Sequence, residues 1–171
     1  MEASSIKFIP GGTVTSPEEF HAGATCAGIK KKGDGVLDLG ILFSKKSCVT
    51  TGLFTTNKIK SAPVLLCQER LQQSSASALV VNSGCANASM SEQGLADATE
   101  MAALAAKNIG AKLEDVLVAS TGVIGQPLPM RLIETGLSQI ILTNDGGHEL
   151  AKAIMTTDTV PKETGVKVKA G

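Results

Sequence analysis

An α/β fold is the reading that the sequence supports, and three observations lead to it. Between residues 77 and 142 an apolar stretch, a polar loop and an amphipathic stretch follow one another twice, the pattern of strand, loop and helix repeated. The apolar residues are almost all aliphatic, since the chain has four Phe and neither Trp nor Tyr. Its core must therefore be layered from Val, Ile, Leu, Ala and Met. No linker or low-complexity block interrupts the 171 residues, a length that suits one domain with a sizeable core.

The elements follow in chain order. Gly11, Gly12, Gly23, Gly28, Gly33, Gly35 and Gly40 punctuate the first forty residues, which predicts short strands joined by tight turns, and residues 36–43 and 48–55 read as two of them. Residues 62–73 read as a helix with Val64, Leu65, Leu66 and Leu71 apolar and Pro63 in the tolerated first turn. Residues 77–81 form a buried strand and NSGCANA (82–88) a loop. A helix then begins near Ser89, where Ser89 and Glu92 fit a capping box. Leu95, Ala98, Met101, Ala102, Ala105 and Ile109 keep one face of it apolar, and Gly110 is placed to stop it. Residues 116–119 are the second strand, STGVIGQPLP the loop, and 129–142 the next helix, with Leu132, Ile133, Leu137, Ile140 and Ile141 inward. If the two strands are parallel neighbours, both loops emerge at one edge of the sheet, where ligands bind in open α/β folds. A last helix spans residues 147–155. The alternation of Val166 and Val168 in KETGVKVKAG predicts a short strand, at an end that reads either as an interrupted domain or as a frayed terminus.

Several function classes are disfavoured. The 16 basic and 16 acidic residues are scattered and cancel. The one basic run, Lys30, Lys31 and Lys32, reads as a solvated turn before Gly33, so neither nucleic acid nor an anionic membrane is an expected partner. No stretch approaches the length of a membrane span and the N-terminus lacks a signal-peptide pattern, which points to a cytoplasmic protein. Cys26, Cys48, Cys67 and Cys85 form no CxxC pair and read as reduced, packed thiols, with no zinc site. His21 and His148 have no ligand spacing and read as surface residues.

Two loops could carry chemistry. Cys85 follows a strand and precedes a helix, where a thiolate nucleophile could be stabilised, or else Asn82, Ser83, Gly84 and Asn87 simply hold a turn. Ser120-Thr121-Gly122 is either an ordinary strand-to-helix turn or a set of donors offered to an anion. Phosphate is the weaker ligand for it, because neither glycine-rich phosphate motif is present.

Four segments taken together carry more. GLFTTNKIKSAPV (52–64), NSGCANA (82–88), ASTGVIGQPLP (119–129) and KAIMTTDTVPK (152–162) resemble, in order and interval, the N-terminal α part of the ArgJ family, the ornithine acetyltransferases or bifunctional glutamate N-acetyltransferases. The resemblance implies an α/β layered sandwich with helices outside the sheets, completed by a separate β chain made by self-cleavage of a precursor. It implies ping-pong transfer of acetyl from N2-acetyl-L-ornithine to L-glutamate in arginine biosynthesis, through a threonine that begins the β chain, within an α2β2 heterotetramer. No metal or cofactor is implied, and acetyl-CoA stays open as a co-substrate. By the same resemblance Thr121 and Gly122 form the oxyanion hole, and Thr157, with Thr156 as the neighbouring alternative, contacts substrate. Residues 1–171 then read as one domain, an α chain ending before the cleavage junction and carrying no nucleophile. Lys167 and Lys169 precede the family's lysine motif and do not take its place. Two other classes remain open: a related self-processing amidase or peptidase, and a non-catalytic anion-binding module.

Overall fold

The computed structural model describes residues 6–30 and 35–169, which build two sheets. Strand β1 (Ile6–Ile9) pairs antiparallel with β6 (Gly165–Val168), the strand expected from the Val166 and Val168 alternation. The larger sheet has the order β2-β3-β4-β5. Strands β2 (Phe20–Thr25), β3 (Leu39–Val49) and β4 (Ser75–Cys85) are successively antiparallel, and β4 is parallel to β5 (Val116–Val123). Parallel neighbours need a long crossover, and α2 (Ser91–Ile109) supplies it.

Alternation along the strands divides their side chains between two faces. Ile41, Val80 and Val118 point to one face, which α1 (Ala62–Arg70), α2 and α3 (Met130–Leu137) cover. Leu66, Met101, Ile133 and Leu137 complete the buried cluster there. Leu42, Val81 and Ala119 point to the other face, where Leu150 of α4 (Gly147–Ala153) and Ala22 form a much smaller cluster. The buried side of α2 is mostly alanine (Ala98, Ala102, Ala105, Ala106) with Met101 among them, so the helix can approach the sheet closely. Gly110 ends it at φ 71°, in the left-handed conformation that favours glycine.

Several features differ from expectation, the strand limits because tertiary pairing outweighs local propensity. Residues 36–43 and 48–55 do not make two strands. One strand, β3, runs to Val49 with an irregularity between Phe43 and Cys48, and 50–57 lie outside any strand. NSGC and STGV are strand rather than loop, because each supplies the ladder for the other. The Ser89–Glu92 capping box does not form. The helix starts at Ser91, no side chain caps it, and Ser89 and Ser91 take φ of 59° and 50°. Leu65 of α1 and Leu95 of α2 lie on exposed sides, and α3 ends at Leu137, leaving Ile141 exposed. Lys31, Lys32 and Gly33 of the basic turn lie outside the described residues.

Met101 is fully buried under the sheet, so Met101→Ala is expected to lower unfolding stability by about 2–5 kcal/mol. Chemical denaturation would read this as a lower midpoint with an unchanged slope.

Candidate functional site

The parallel strands β4 and β5 stay in register to their ends, with Asn82 opposite Ser120, Ser83 opposite Thr121 and Gly84 opposite Gly122. At the last of these pairs the two backbones are too close for side chains. A Cβ on Gly122 would stand 2.3 Å from the carbonyl carbon of Gly84, and Gly122 has φ 130°, a conformation that glycine alone adopts readily. Gly84, at φ 109°, has the segment 29–30 packed behind it, the Lys30 nitrogen being 3.1 Å from where its Cβ would lie. That segment is held by Asp38, fully buried, whose carboxylate accepts hydrogen bonds from the N–H groups of Ala27 (2.7 Å), Ile29 (2.6 Å) and Lys30 (3.1 Å).

The outer edge of β5 is partly occupied by α1. The Cys67 thiol donates to the Val118 carbonyl at 3.1 Å and receives the Val118 N–H at 3.4 Å, while the Arg70 guanidinium donates to the Val116 carbonyl. Burial pushes the Cys67 thiol pKa up, which keeps the donor in place. Residues 116 and 118 thus turn their backbone groups outward, so alternation turns Thr121 toward β4 and Gly122 outward, beyond the reach of α1. The Val123 carbonyl, which accepts from Ala86 N–H at 2.9 Å on the β4 side, fits the same alternation. Side chains alternate too. Thr121 faces the thinly covered side of the sheet, whereas the Ser120 hydroxyl is buried on the helix side with no hydrogen-bond partner among the described residues.

Thr121 stands on the wall of an open, mostly apolar hollow of about 600 Å³, with Val81 and Ala119 as floor and Leu150, Ala151 and Ile154 of the α4 segment opposite. A neighbouring hollow of about 450 Å³ shares Leu42 and Leu79 and continues across the same face. Beyond α4 the chain enters Met155, Thr156, Thr157 and Asp158. The Asp158 carboxylate accepts from Lys162 and, at 3.3 Å, from the Thr156 N–H, and these bonds hold its carboxyl below the ordinary value. Burial lowers the pKa of the Lys30 ammonium from its ordinary value, opposed by the carboxylates of Asp38 and Asp158.

The sequence-predicted residues divide accordingly. Thr121 and Gly122 sit together at the strand end, Gly122 exposed. Thr156 and Thr157 are exposed in the loop after α4 and are not on the wall of the hollow. Cys85 is buried, and its thiol donates to the Gln126 carbonyl at 3.2 Å and the Pro127 carbonyl at 3.7 Å, a packed position unsuited to attacking a substrate. His21 and His148 share a separate polar hollow of about 820 Å³ that contains none of these candidates, and His148 Nδ1 lies 2.5 Å from Glu163 Oε1. Among the described residues no three His, Cys, Asp or Glu side chains are grouped to hold a metal ion. Asp38 was missed. An acid between Leu37 and Leu39 in an apolar run was the available signal.

All four cysteines are free, with Cys67 and Cys85 buried and Cys26 and Cys48 half-buried. Titration with an aromatic disulfide is expected to modify Cys26 and Cys48 in the native protein and Cys67 and Cys85 only after denaturation. Rapid native modification of Cys85 would revive the nucleophile reading.

Comparison with known proteins gives a consistent outcome. The model of the ArgJ family matches residues 21–171. The arginine biosynthesis bifunctional protein ArgJ of Dehalococcoides mccartyi is 50% identical over 165 residues, covering 96% of this chain and 41% of its own length. Its namesake in Symbiobacterium thermophilum is 45% identical, with coverages of 97% and 42%. The chain thus spans about two fifths of the length of these curated relatives. Among solved structures, the arginine biosynthesis bifunctional protein ArgJ of Bacillus halodurans superposes with a TM-score of 0.87 at 34% identity, covering 99% of this chain and 95% of that one. An ornithine acetyltransferase of Mycobacterium tuberculosis, solved in complex with ornithine, gives a TM-score of 0.87 at 33% identity with coverages of 98% and 95%.

Proposed function

The chain belongs to the ArgJ family of arginine biosynthesis, and from that premise we propose that it is the α chain of a glutamate N-acetyltransferase. In this reading it supplies the oxyanion hole and part of the substrate pocket. The observation that carries the proposal is the strand end itself, where the Thr121 side chain faces the hollow and Gly122 turns its N–H outward on a backbone that only glycine can follow. The relative solved with ornithine supports the choice of substrate class.

The reaction runs in two halves. A threonine at the start of a partner β chain attacks the acetyl carbonyl of N2-acetyl-L-ornithine through its hydroxyl oxygen, and its own α-amino group takes the proton. The carbonyl oxygen becomes an oxyanion, to which the Thr121 hydroxyl and the Gly122 N–H donate. Collapse breaks the C–N bond, the proton passes to the leaving amine, and ornithine departs from an acetyl-threonine ester. L-Glutamate then attacks that ester through its amine by the reverse sequence, and N-acetyl-L-glutamate leaves. Donors fixed before reaction act where the charge develops, and one of them is worth on the order of 3 kcal/mol. Thr157, or Thr156 beside it, contacts the bound substrate.

The thinly covered sheet face supports the β-chain partner. Leu42, Leu79, Val81, Leu117 and Ala119 line two adjoining hollows there, and α4 is the one helix over them among the described residues. A β chain layered on this face would bury them, and pairing of two such units gives α2β2. No helix of the described residues is long and apolar enough to cross a membrane, in keeping with a cytoplasmic enzyme.

Acetyl transfer from N2-acetylornithine to glutamate, assayed with this chain alone and with its β chain, tests the reading. The expected result is transfer only by the assembled enzyme. Acetylornithine hydrolysis indifferent to glutamate would instead indicate an amidase, and replacement of acetylornithine by acetyl-CoA in the same assay tests the second donor. Thr121→Val is expected to lower kcat by about 100-fold with KM little changed, and Thr121→Ser, which keeps the hydroxyl, to stay near the wild-type rate. Equal loss from both variants would remove the hydroxyl from the mechanism.

A further inference from the structure

Ser83 is fully buried and lies opposite Thr121 across the β4–β5 ladder, one residue before the glycine contact. Its hydroxyl donates to the carbonyl oxygen of Ala153, the last residue of α4. The final carbonyls of a helix have no partner within it, so this bond satisfies a group that would otherwise be stranded beside an apolar sheet. Among the described residues it is the hydrogen bond that joins the end of α4 to the sheet. The Thr-Thr-Asp loop begins three residues later.

The loop is anchored downstream, where His148 Nδ1 meets Glu163 Oε1 and β6 pairs with β1, but its start has no other hydrogen bond to the sheet among the described residues. Ile154 N–H and Met155 N–H reach back to the Leu150 and Lys152 carbonyls at 3.2 Å, which continues the helix turn but fixes nothing relative to β5. Asp158 bonds to Lys162 and to the Thr156 N–H, contacts that are local to the loop. Ser83, by contrast, touches both halves of the site: it is the ladder partner of Thr121, and its hydroxyl fixes the point from which Thr156 and Thr157 depart.

We propose that Ser83 is a positioning residue whose hydroxyl, by holding the Ala153 carbonyl, sets the distance between the Thr121–Gly122 donors and the Thr156–Thr157 loop, so that one acylated amino acid can reach both. This rests on the functional reading above. A substrate held by the loop and polarised at the strand end must span a fixed gap, and small misplacements of such groups are costly. Loss of the strut loosens the loop and leaves the donors, which depend on the Gly84–Gly122 contact, where they are. Ground-state and transition-state binding through the loop then weaken together, and KM rises without a matching fall in kcat.

Ser83→Ala in the assembled enzyme tests this, with Ser83→Cys as a second variant of similar shape and weaker donor strength. The expected result is a rise in KM for N2-acetylornithine of about fivefold to tenfold, the scale of one hydrogen bond, with kcat within about twofold and the Cys variant between. Hydrogen exchange of the amides of residues 154–158 should accelerate by a similar factor while the amides of β4 and β5 keep their protection. Unchanged KM together with unchanged exchange would overturn the proposal. So would accelerated exchange spread evenly over the chain, which would mark general destabilisation, or a fall in kcat at constant KM, which would place Ser83 in the chemical step. The exchange measurement needs no substrate. If the wild-type enzyme transfers no acetyl group, the functional reading fails, and exchange at 154–158 still decides whether Ser83 is the strut.

Discussion

The contact between the backbones of Gly84 and Gly122 governs the geometry of the site. Two parallel strands are held side by side to their last residues because Gly122 carries no Cβ, which would lie 2.3 Å from the Gly84 carbonyl carbon, while the bare Cα of Gly84 admits the segment 29–30 behind it. Everything that gives the strand end a defined shape depends on this approach. The segment 27–30 can pack behind Gly84 because Asp38 gathers three of its N–H groups. Thr121 and Gly122 then face different directions on a rigid edge rather than on a mobile loop. A site of this kind needs its donors fixed before the reaction begins, and a backbone N–H beside a β-branched side chain on a packed strand meets that need better than groups on a flexible loop.

The unequal faces of the sheet follow from the same arrangement. The helix side is sealed by α1, α2 and α3, and α1 also occupies the β5 edge through Cys67 and Arg70, stopping short of Gly122. An open edge with no such cover invites unwanted strand pairing, so the side-chain caps on Val116 and Val118 protect the strand where no ligand is needed. The opposite face has α4 and two apolar hollows. A sheet with one finished and one unfinished face suits a chain spanning about two fifths of its relatives' length. In the proposed enzyme the remaining layer brings the attacking threonine to the hollow where Thr121 stands.

Much of this was legible in the sequence. The strand-loop-helix repeat, the apolar face of α2 and its stop at Gly110 follow from period and turn chemistry, and NSGCANA and STGVIG share one edge on a condition that the sequence leaves open and the structure meets, the parallel pairing of their strands. The ends of β4 and β5 did not. Asn-Ser-Gly-Cys and Ser-Thr-Gly-Val have turn-like composition, and what makes them strands is each other, a non-local pairing that no single window contains. The same cause explains the apparent capping box at Ser89 and Glu92, where a local motif gave way to a backbone already directed by the strand before it. Thr121 and Gly122 are marked by a resemblance across four segments, whereas the roles of Ser83 and Asp38 exist only in the folded chain, because their partners lie 70 residues away or are main-chain groups.

In the proposed enzyme acyl transfer occurs at this strand end with the nucleophile on another chain. Mass spectrometry of both chains after brief incubation of the assembled enzyme with N2-acetylornithine, without glutamate, tests it most directly. One acetyl group is expected on the N-terminal threonine of the partner chain, removed when glutamate is added, and none on this chain. An acetyl group on Cys85 or any other residue of this chain, removable by glutamate, would contradict it.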